Sequence, residues 1–160
     1  MTDAPLRIST DKRELDVDVI HAFLRDHAPW SLGIARPIVE RAIEGSLCFG
    51  AYLGERQVAF ARVVTDYATF GYLCDVFVLP EYRSRGYAAA LVQHIFDSEP
   101  LTQLRRVVLV TSDAHGLYRP CGFEALAHPH KYMELHRPDV YRQSSPAPGP
   151  EQGASGHAQA

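Results

Sequence analysis

The most constraining feature of this 160-residue chain is the stretch DVFVLPEYRSRGYAAALVQHIF, residues 75–96. It opens with an apolar run of β-branched and aromatic residues that stops at Pro80, a pattern typical of a buried strand. A short basic segment with Gly86 follows, and apolar side chains then recur every three or four positions, which predicts an amphipathic helix. The first turn of a helix carries unpaired N–H groups and the positive end of the helix dipole. The junction of strand and helix is therefore suited to bind an anionic group such as a phosphate, and a solvated basic loop that only closes the turn is the alternative interpretation of this segment by itself.

Composition limits the class of protein. The length predicts one domain, and 46% hydrophobic residues are enough for a core without disulfides. A formal charge of −3 argues against a nucleic-acid-binding module. The three cysteines Cys48, Cys74 and Cys121 are widely spaced in apolar surroundings, which is typical of reduced thiols in a cytoplasmic protein. The sequence shows no signal peptide and no membrane-spanning run, so we expect a soluble protein without a membrane partner.

The other patterns predict an α/β fold with a mixed sheet. Residues 5–10 alternate as a strand does, Asp16 is the expected cap of a first helix, and Pro37 begins a second helix that ends before Gly45. Further strands are predicted at 46–53, 57–66, 71–79 and 105–112, the last buried on both faces, with final strands at 123–126 and 131–136 and a short helix before them. We assign residues 1–142 to one domain. Residues 143–160 contain no large apolar side chain and are expected to stay outside the fold.

Two motifs together make a specific resemblance. The segment Arg83-Ser84-Arg85-Gly86-Tyr87-Ala88 follows a strand that ends in Val78-Leu79-Pro80, and Leu117-Tyr118-Arg119-Pro120-Cys121-Gly122-Phe123 comes after the next strand. This pair resembles the acetyl-CoA site of the GNAT superfamily of N-acetyltransferases, over about residues 6–137. The resemblance implies an α/β fold whose mixed sheet has about six to seven strands flanked by about four helices. The sequence contains neither a Walker A lysine nor a GxGxxG, so nucleotide hydrolysis and dinucleotide binding are poor rivals.

The resemblance also implies how acetyl-CoA, the cosubstrate, is bound. Backbone amides from Arg85 to Ala89 would hold the pyrophosphate, while the backbone of β-strand residues would pair with pantetheine as an added strand does. Gly86 permits close approach of the backbone, and two arginines add positive charge. The expected cofactor-binding residues are Val76, Val78, Arg83, Arg85, Gly86, Tyr87, Ala88 and Ala89.

Acetyl transfer requires a neutral amine, a donor to the developing oxyanion and a donor to the departing thiolate. By resemblance Tyr118 is the donor to the thiolate, and a tyrosine that only packs the short helix is the alternative interpretation. Asp75 matches the acidic residue of the family and is the first candidate for the base or for an anchor of the ammonium group. An ion pair between Asp75 and Arg62 is the alternative interpretation. The backbone N–H of Val76, at a strand bulge, is a candidate donor to the oxyanion.

The acceptor is expected to be a primary amine of a small molecule or peptide, near Trp30, Asp66 and Tyr67. YLCDVFVLPEYR is similar to the diamine acetyltransferase branch, but Cys74 stands where that branch commonly has glutamate, which argues against a polyamine acceptor.

The pair His128 and His130 is interpreted as surface histidines, and no metal is expected. The oligomeric state stays open, with a homodimer as one option. A non-catalytic acyl-CoA-binding sensor is the alternative function.

Overall fold

The computed structural model describes residues 4–142. Five strands form one sheet in the order β1-β2-β3-β4-β5, with β1 to β4 antiparallel and β5 parallel to β4. Four α-helices accompany the sheet, and α3 connects the two parallel strands. The strands are β1 (Leu6–Ser9), β2 (Leu47–Leu53), β3 (Arg56–Thr65), β4 (Phe70–Val78) and β5 (Arg106–Val108), and the helices are α1 (Val17–Asp26), α2 (Arg36–Glu44), α3 (Tyr87–Asp97) and α4 (His115–Tyr118).

The predicted helix boundaries agree with the structure to within one residue, since local signals fix them. The Asp16 side chain accepts a hydrogen bond from the Val19 N–H at 3.1 Å and so caps α1. Pro37 lies in the first turn of α2, which ends just before Gly45. Gly86 adopts φ +80° immediately before α3, a left-handed conformation that glycine reaches at low cost.

Helices cover both faces of the sheet. Ala59, Ala61 and Val63 of β3 pack on the side of α3, whereas Phe60 packs on the side of α1 and α2. The ring of Phe77 in β4 stacks on Phe23 of α1, with centroids 3.9 Å apart. This alternation follows from the two-residue period of a strand, so neighbouring residues of β3 and β4 reach opposite faces of the molecule.

The predictions for the C-terminal part are partly wrong. Residues 123–126 and 131–136 do not form strands, and the predicted strand 105–112 is limited to Arg106–Val108. The sheet therefore has five strands instead of six to seven. A strand requires a hydrogen-bonded neighbour, and no other strand of residues 4–142 pairs with the outer edge of β5. Val110, predicted to be buried, is 84% exposed for this reason.

Two other predictions concern the chain ends and the membrane. Residues 143–160, predicted to lie outside the fold, are beyond the described residues, as are residues 1–3. Within residues 4–142, each helix is too short or too polar to cross a bilayer.

Candidate active site

The segment between β4 and α3 is shaped for contact with a ligand. Ser84 and Gly86 both have positive φ angles, 61° and 80°, which turn the chain sharply into the helix. No side chain caps the start of α3, and a Cβ built on Gly86 would meet nothing within 4 Å. The N–H groups of the first turn therefore border open space. Uncapped donors at the positive end of an eleven-residue helix suit an anionic group.

Arginines surround this junction. The Arg83 Nε donates to the Val78 carbonyl at 3.1 Å, which fixes the loop against the end of β4. Arg85 lies over the ring of Tyr82, 5.8 Å from its centroid. Arg56 of β3 lies over the same ring at 5.3 Å. Sequence reasoning missed Arg56, because only the pairing of β3 with β4 brings it near the loop.

Strand β4 is bulged in its middle. Phe60 is opposite Phe77 and Arg62 is opposite Cys74, so Ala61 alone faces both Asp75 and Val76. Asp75 absorbs the extra residue with φ +53°, an uncommon conformation for a residue other than glycine. Val76 therefore has no paired residue on β3. The backbone N–H of Val76 is the group considered above as a donor to the oxyanion.

The sheet is open beyond the bulge. Strand β5 pairs only with Phe70, Gly71 and Tyr72, so the outer edge of β4 from residue 73 onward has no strand partner among residues 4–142. Both Val76 and Val78, predicted to pair with pantetheine, lie on this edge. The Val78 carbonyl already accepts from Arg83, which leaves it one further lone pair.

Asp75 is held by two partners. Its Oδ2 lies 2.6 Å from the Arg62 Nε, and its Oδ1 accepts from the Trp30 indole N–H at 2.8 Å. Arg62 also donates to the Ser46 Oγ at 3.1 Å. Burial is the largest single influence and lowers the pKa of Arg62, but the charge and hydrogen bond of Asp75, together with Cys74 and Cys48, outweigh it, so the pKa is raised. The ion pair between Asp75 and Arg62, the alternative interpretation of the sequence, is therefore present. Arg62 and Trp30 together occupy both oxygens of the Asp75 carboxylate.

A cavity of about 280 Å³ opens beside this network, on the face of α1 and α2. Burial raises the pKa of the Cys74 thiol in its wall to about 12, so this thiol stays protonated at neutral pH and is a poor nucleophile. Sequence reasoning missed His136 and Tyr141, which line the cavity from the C-terminal segment, since the residues around His136 had the pattern of a strand. The cavity is lined by Ile20, Leu24, Trp30, Ser31, Ile34, Ile38, Val39, Ala42, Ile43, Phe60, Arg62, Tyr72, Cys74, Asp75, His136 and Tyr141.

The structure places Asp66 and Tyr67 in the loop between β3 and β4, and neither lines this cavity. The Asp66 Oδ1 accepts from the N–H groups of Ala68, Thr69 and Phe70 at 2.8–3.1 Å. Its Oδ2 accepts from the Thr69 hydroxyl, and these bonds hold the pKa of the carboxyl well below its usual range. Asp66 therefore organises the turn, and a role toward an acceptor remains a prediction.

Tyr118 lies at the end of α4, on the opposite face of the sheet from the cavity. Its ring is buried and meets Phe123 edge-on, with centroids 6.0 Å apart. Burial raises the pKa of its hydroxyl. The hydroxyl is therefore a better hydrogen-bond donor than acid.

His128 and His130 lie with ring centroids 5.8 Å apart. The part of the chain that the structure describes contains no group of three or more His, Cys, Asp or Glu side chains arranged to hold a metal ion.

Comparison with known proteins agrees with this geometry. A crystal structure of a GNAT-family protein from Xanthomonas campestris pv. campestris superposes with a TM-score of 0.81 at 49% identity, covering 86% of this chain and 98% of that one. A "putative acetyltransferase" of Gibberella zeae is 32% identical over 69% of this chain and 74% of its own length. A crystal structure with acetyl-CoA from Clostridium acetobutylicum shares the fold, with a TM-score of 0.58 at 16% identity over 82% of this chain and 95% of that one. The family model for the GNAT acetyltransferases matches residues 17–123. The chain therefore belongs to the GNAT acetyltransferase family.

Proposed function

We propose that this chain transfers an acetyl group from acetyl-CoA to a primary amine of a small molecule or peptide by direct attack of the amine. The observation that carries the proposal is the position of the uncapped start of α3 beside the open outer edge of a bulged β4. The start of α3 suits the pyrophosphate of acetyl-CoA, and the open edge of β4 suits its amide-containing pantetheine arm. The acetyl-CoA in the Clostridium structure, which has the same fold, supports this choice of donor.

The chain offers a complete set of groups to hold the donor. Backbone N–H groups from Arg85 to Ala89, including Tyr87 and Ala88, would bind the pyrophosphate. Arg83 and Arg85 supply positive charge beside it, although the Nε of Arg83 is already bonded to Val78. The free edge of β4 at Val76 and Val78 would pair with the pantetheine amides. Bound acetyl-CoA supplies an activated thioester carbonyl.

Strands β4 and β5 pair only at residues 70–72 of β4, and we infer that the opening beyond this point connects the two faces of the sheet. Tyr118 approaches from the α3 face, whereas the cavity with Asp75 lies on the α1 and α2 face. An amine in the cavity can therefore attack through the opening, while the Val76 N–H stabilises the oxyanion and Tyr118 donates a hydrogen bond to the departing thiolate. The protonated Cys74 argues against a covalent acyl-enzyme on that residue.

The base that takes the proton from the amine is best assigned to His136. A lysine-like amine has a pKa of about 10.4 and is almost fully protonated at neutral pH, so a base is required. Both oxygens of Asp75 are occupied, and burial raises the pKa of Cys74 and of Tyr72. His136 lines the same cavity, and the unprotonated ring nitrogen of a histidine can accept a proton from an amine. Asp75 then orients Trp30 and Arg62 around the acceptor.

The cavity also favours a class of acceptor. Most of its lining residues are aliphatic or aromatic, and the charge of Asp75 is neutralised by Arg62. A polyamine would need several unpaired carboxylates, which these walls do not offer. The acceptor best suited to about 280 Å³ is a monoamine or a peptide residue with a compact apolar body.

The test is a thiol-release screen of acetyl-CoA against apolar monoamines, amino acids, peptides and polyamines. We expect turnover with apolar monoamines or peptides and little with spermidine. Binding of CoA should weaken in Gly86→Val, because the side chain blocks approach of the backbone. Gly54→Val is the matched control, since Gly54 also has a positive φ and open space around it but lies in the β2–β3 turn.

Two outcomes separate the alternatives. Unchanged CoA affinity in Gly86→Val would refute the site itself. CoA binding without turnover on any amine would favour the acyl-CoA sensor over the enzyme.

A further inference from the structure

The polar groups on the wall of the cavity beside Asp75 differ in how fully the chain itself occupies them. Both carboxylate oxygens of Asp75 are bound, one by Arg62 and the other by Trp30. The Ser31 hydroxyl donates to the Leu24 carbonyl at 2.8 Å. These two polar side chains of the wall are therefore already engaged within the chain.

Arg62 differs from them because its guanidinium has donors to spare. Its Nε donates to Asp75 at 2.6 Å, and its Nη1 donates to the Ser46 hydroxyl at 3.1 Å. A guanidinium has five N–H donors and no acceptor, so these two bonds leave three donors for other partners. The side chain lines the cavity and is only 18% exposed. Because a poorly solvated donor is costly to leave without a partner, an oxygen atom of a molecule in the cavity would be stabilised beside Arg62.

The charge around Arg62 favours a neutral oxygen atom. Asp75 already balances the guanidinium, and only 10% of the Asp75 side chain is exposed. A carboxylate brought beside Asp75 would add a like charge where little water can screen it, which is unfavourable. An amide carbonyl accepts hydrogen bonds without adding charge, whereas an ammonium group can only donate.

We propose that the acetyl acceptor carries an amide carbonyl next to its apolar body, and that Arg62 determines this specificity by donating to the carbonyl oxygen. The inference rests on the proposed function, since it takes the cavity as the acceptor site. The aliphatic part of the wall, which includes Ile20, Ile34 and Val39, would hold the apolar body. Amides of apolar amino acids and the first residue of a peptide are therefore better acceptors than simple alkylamines or free amino acids.

Binding of a fragment of the acceptor tests the inference without any need for turnover. The probe is isocaproamide, which has the alkyl body and amide of leucinamide but no amine. Trp30 is the only tryptophan and lines the cavity, so its fluorescence reports binding. We expect saturable binding of isocaproamide that is tighter than binding of isocaproate, the matching carboxylate.

The variant Asp75→Asn/Arg62→Met removes the donors without leaving a buried charge. Its affinity for isocaproamide should fall by about tenfold or more, as expected when hydrogen bonds from a charged group are lost. The matched control Asp11→Asn/Arg13→Met makes the same exchange in an exposed ion pair and should keep the affinity of the parent. If Asp75→Asn/Arg62→Met does not fold, the comparison of isocaproamide with isocaproate in the parent still decides.

Kinetics with two amines tests the same contact during turnover. Leucinamide and isoamylamine share an alkyl body, but only leucinamide has the carbonyl. The ratio of their kcat/KM values should fall by about tenfold or more from the parent to Asp75→Asn/Arg62→Met. The intrinsic difference between the two amines cancels in this comparison, because each variant is measured with both.

Three results would overturn the inference. One is isocaproamide binding that is undetectable in the parent or equal in the parent and Asp75→Asn/Arg62→Met. Another is isocaproate that binds as tightly as isocaproamide, which would assign the wall to a carboxylate. The third is an unchanged ratio of leucinamide to isoamylamine, which would leave the acetyltransferase proposal intact. Binding of isocaproamide that depends on Arg62, without turnover of any amine, would support the inference and reject the acetyltransferase proposal.

Discussion

Replacing Asp75 by Asn tests the network beneath the proposed acceptor cavity. The substitution keeps the shape of the side chain and one acceptor for Trp30, but it leaves the Arg62 charge without its partner at 2.6 Å. Only 10% of the Asp75 side chain and 18% of the Arg62 side chain are exposed. Removing one partner of a buried pair costs about 3–5 kcal/mol of unfolding free energy. Because solvent reaches part of Arg62, we expect the lower end of that range.

The double variant Asp75→Asn/Arg62→Met decides whether the ion pair is responsible. Each single variant leaves one buried charge uncompensated, whereas the double variant leaves none. We therefore expect the double variant to lose less than the sum of the single losses, by about 1–3 kcal/mol. Urea unfolding followed by far-UV circular dichroism gives the free energies, and fluorescence of Trp30, the only tryptophan, reports on the local contact.

Asp11→Asn is the matched control. Asp11 pairs with Arg13 at 2.7 Å, but 91% of the Arg13 side chain is exposed, so this loss of stability should be far smaller than that of Asp75→Asn. Losses that simply add in the double variant at residues 62 and 75 would refute the reasoning. Asp75 would then act on stability through something other than its pairing with Arg62.

Four further predictions follow from the same geometry. Tyr118→Phe should keep CoA affinity and lower kcat by about 10- to 150-fold, as loss of a hydrogen bond to a charged group worth about 1.5–3 kcal/mol does; a change below about threefold would remove Tyr118 from the mechanism. His136→Gln should lower kcat by about 10²–10⁴, whereas His130→Gln should leave kcat unchanged. The carboxyl pKa of Asp66 is depressed in the folded state, so its stabilising contribution is present above the unfolded value of about 3.9 and is lost as pH falls through the folded pKa; Asp66→Asn should flatten the acid side of a plot of Tm against pH, and an unchanged plot would contradict this. Truncation after Gln143 should leave Tm and turnover unchanged, and a fall in Tm of several degrees would show that the tail contacts the body.

Local signals allowed much of the site to be predicted from sequence. Asp16, Pro37 and Gly45 fix helix ends through backbone hydrogen bonding and restricted φ, which depend on nearby residues alone. The same holds for Gly86, since the turn into α3 has a left-handed residue at this position and glycine adopts that conformation at low cost. The start of α3, the proposed anion site, could therefore be inferred from residues 75–96 by themselves.

Only the tertiary structure decided which side chains from distant segments come into contact. Arg56 reaches the junction, and Arg62 and Trp30 reach Asp75, only because β3 pairs with β4 and the loop after α1 lies over the sheet. The sequence determined the two-residue alternation at 131–136 but not whether a strand forms there. Alternation sets which side chains share a face, whereas a strand also needs a neighbouring backbone to complete its hydrogen bonds, and residues 4–142 of a single chain do not provide one.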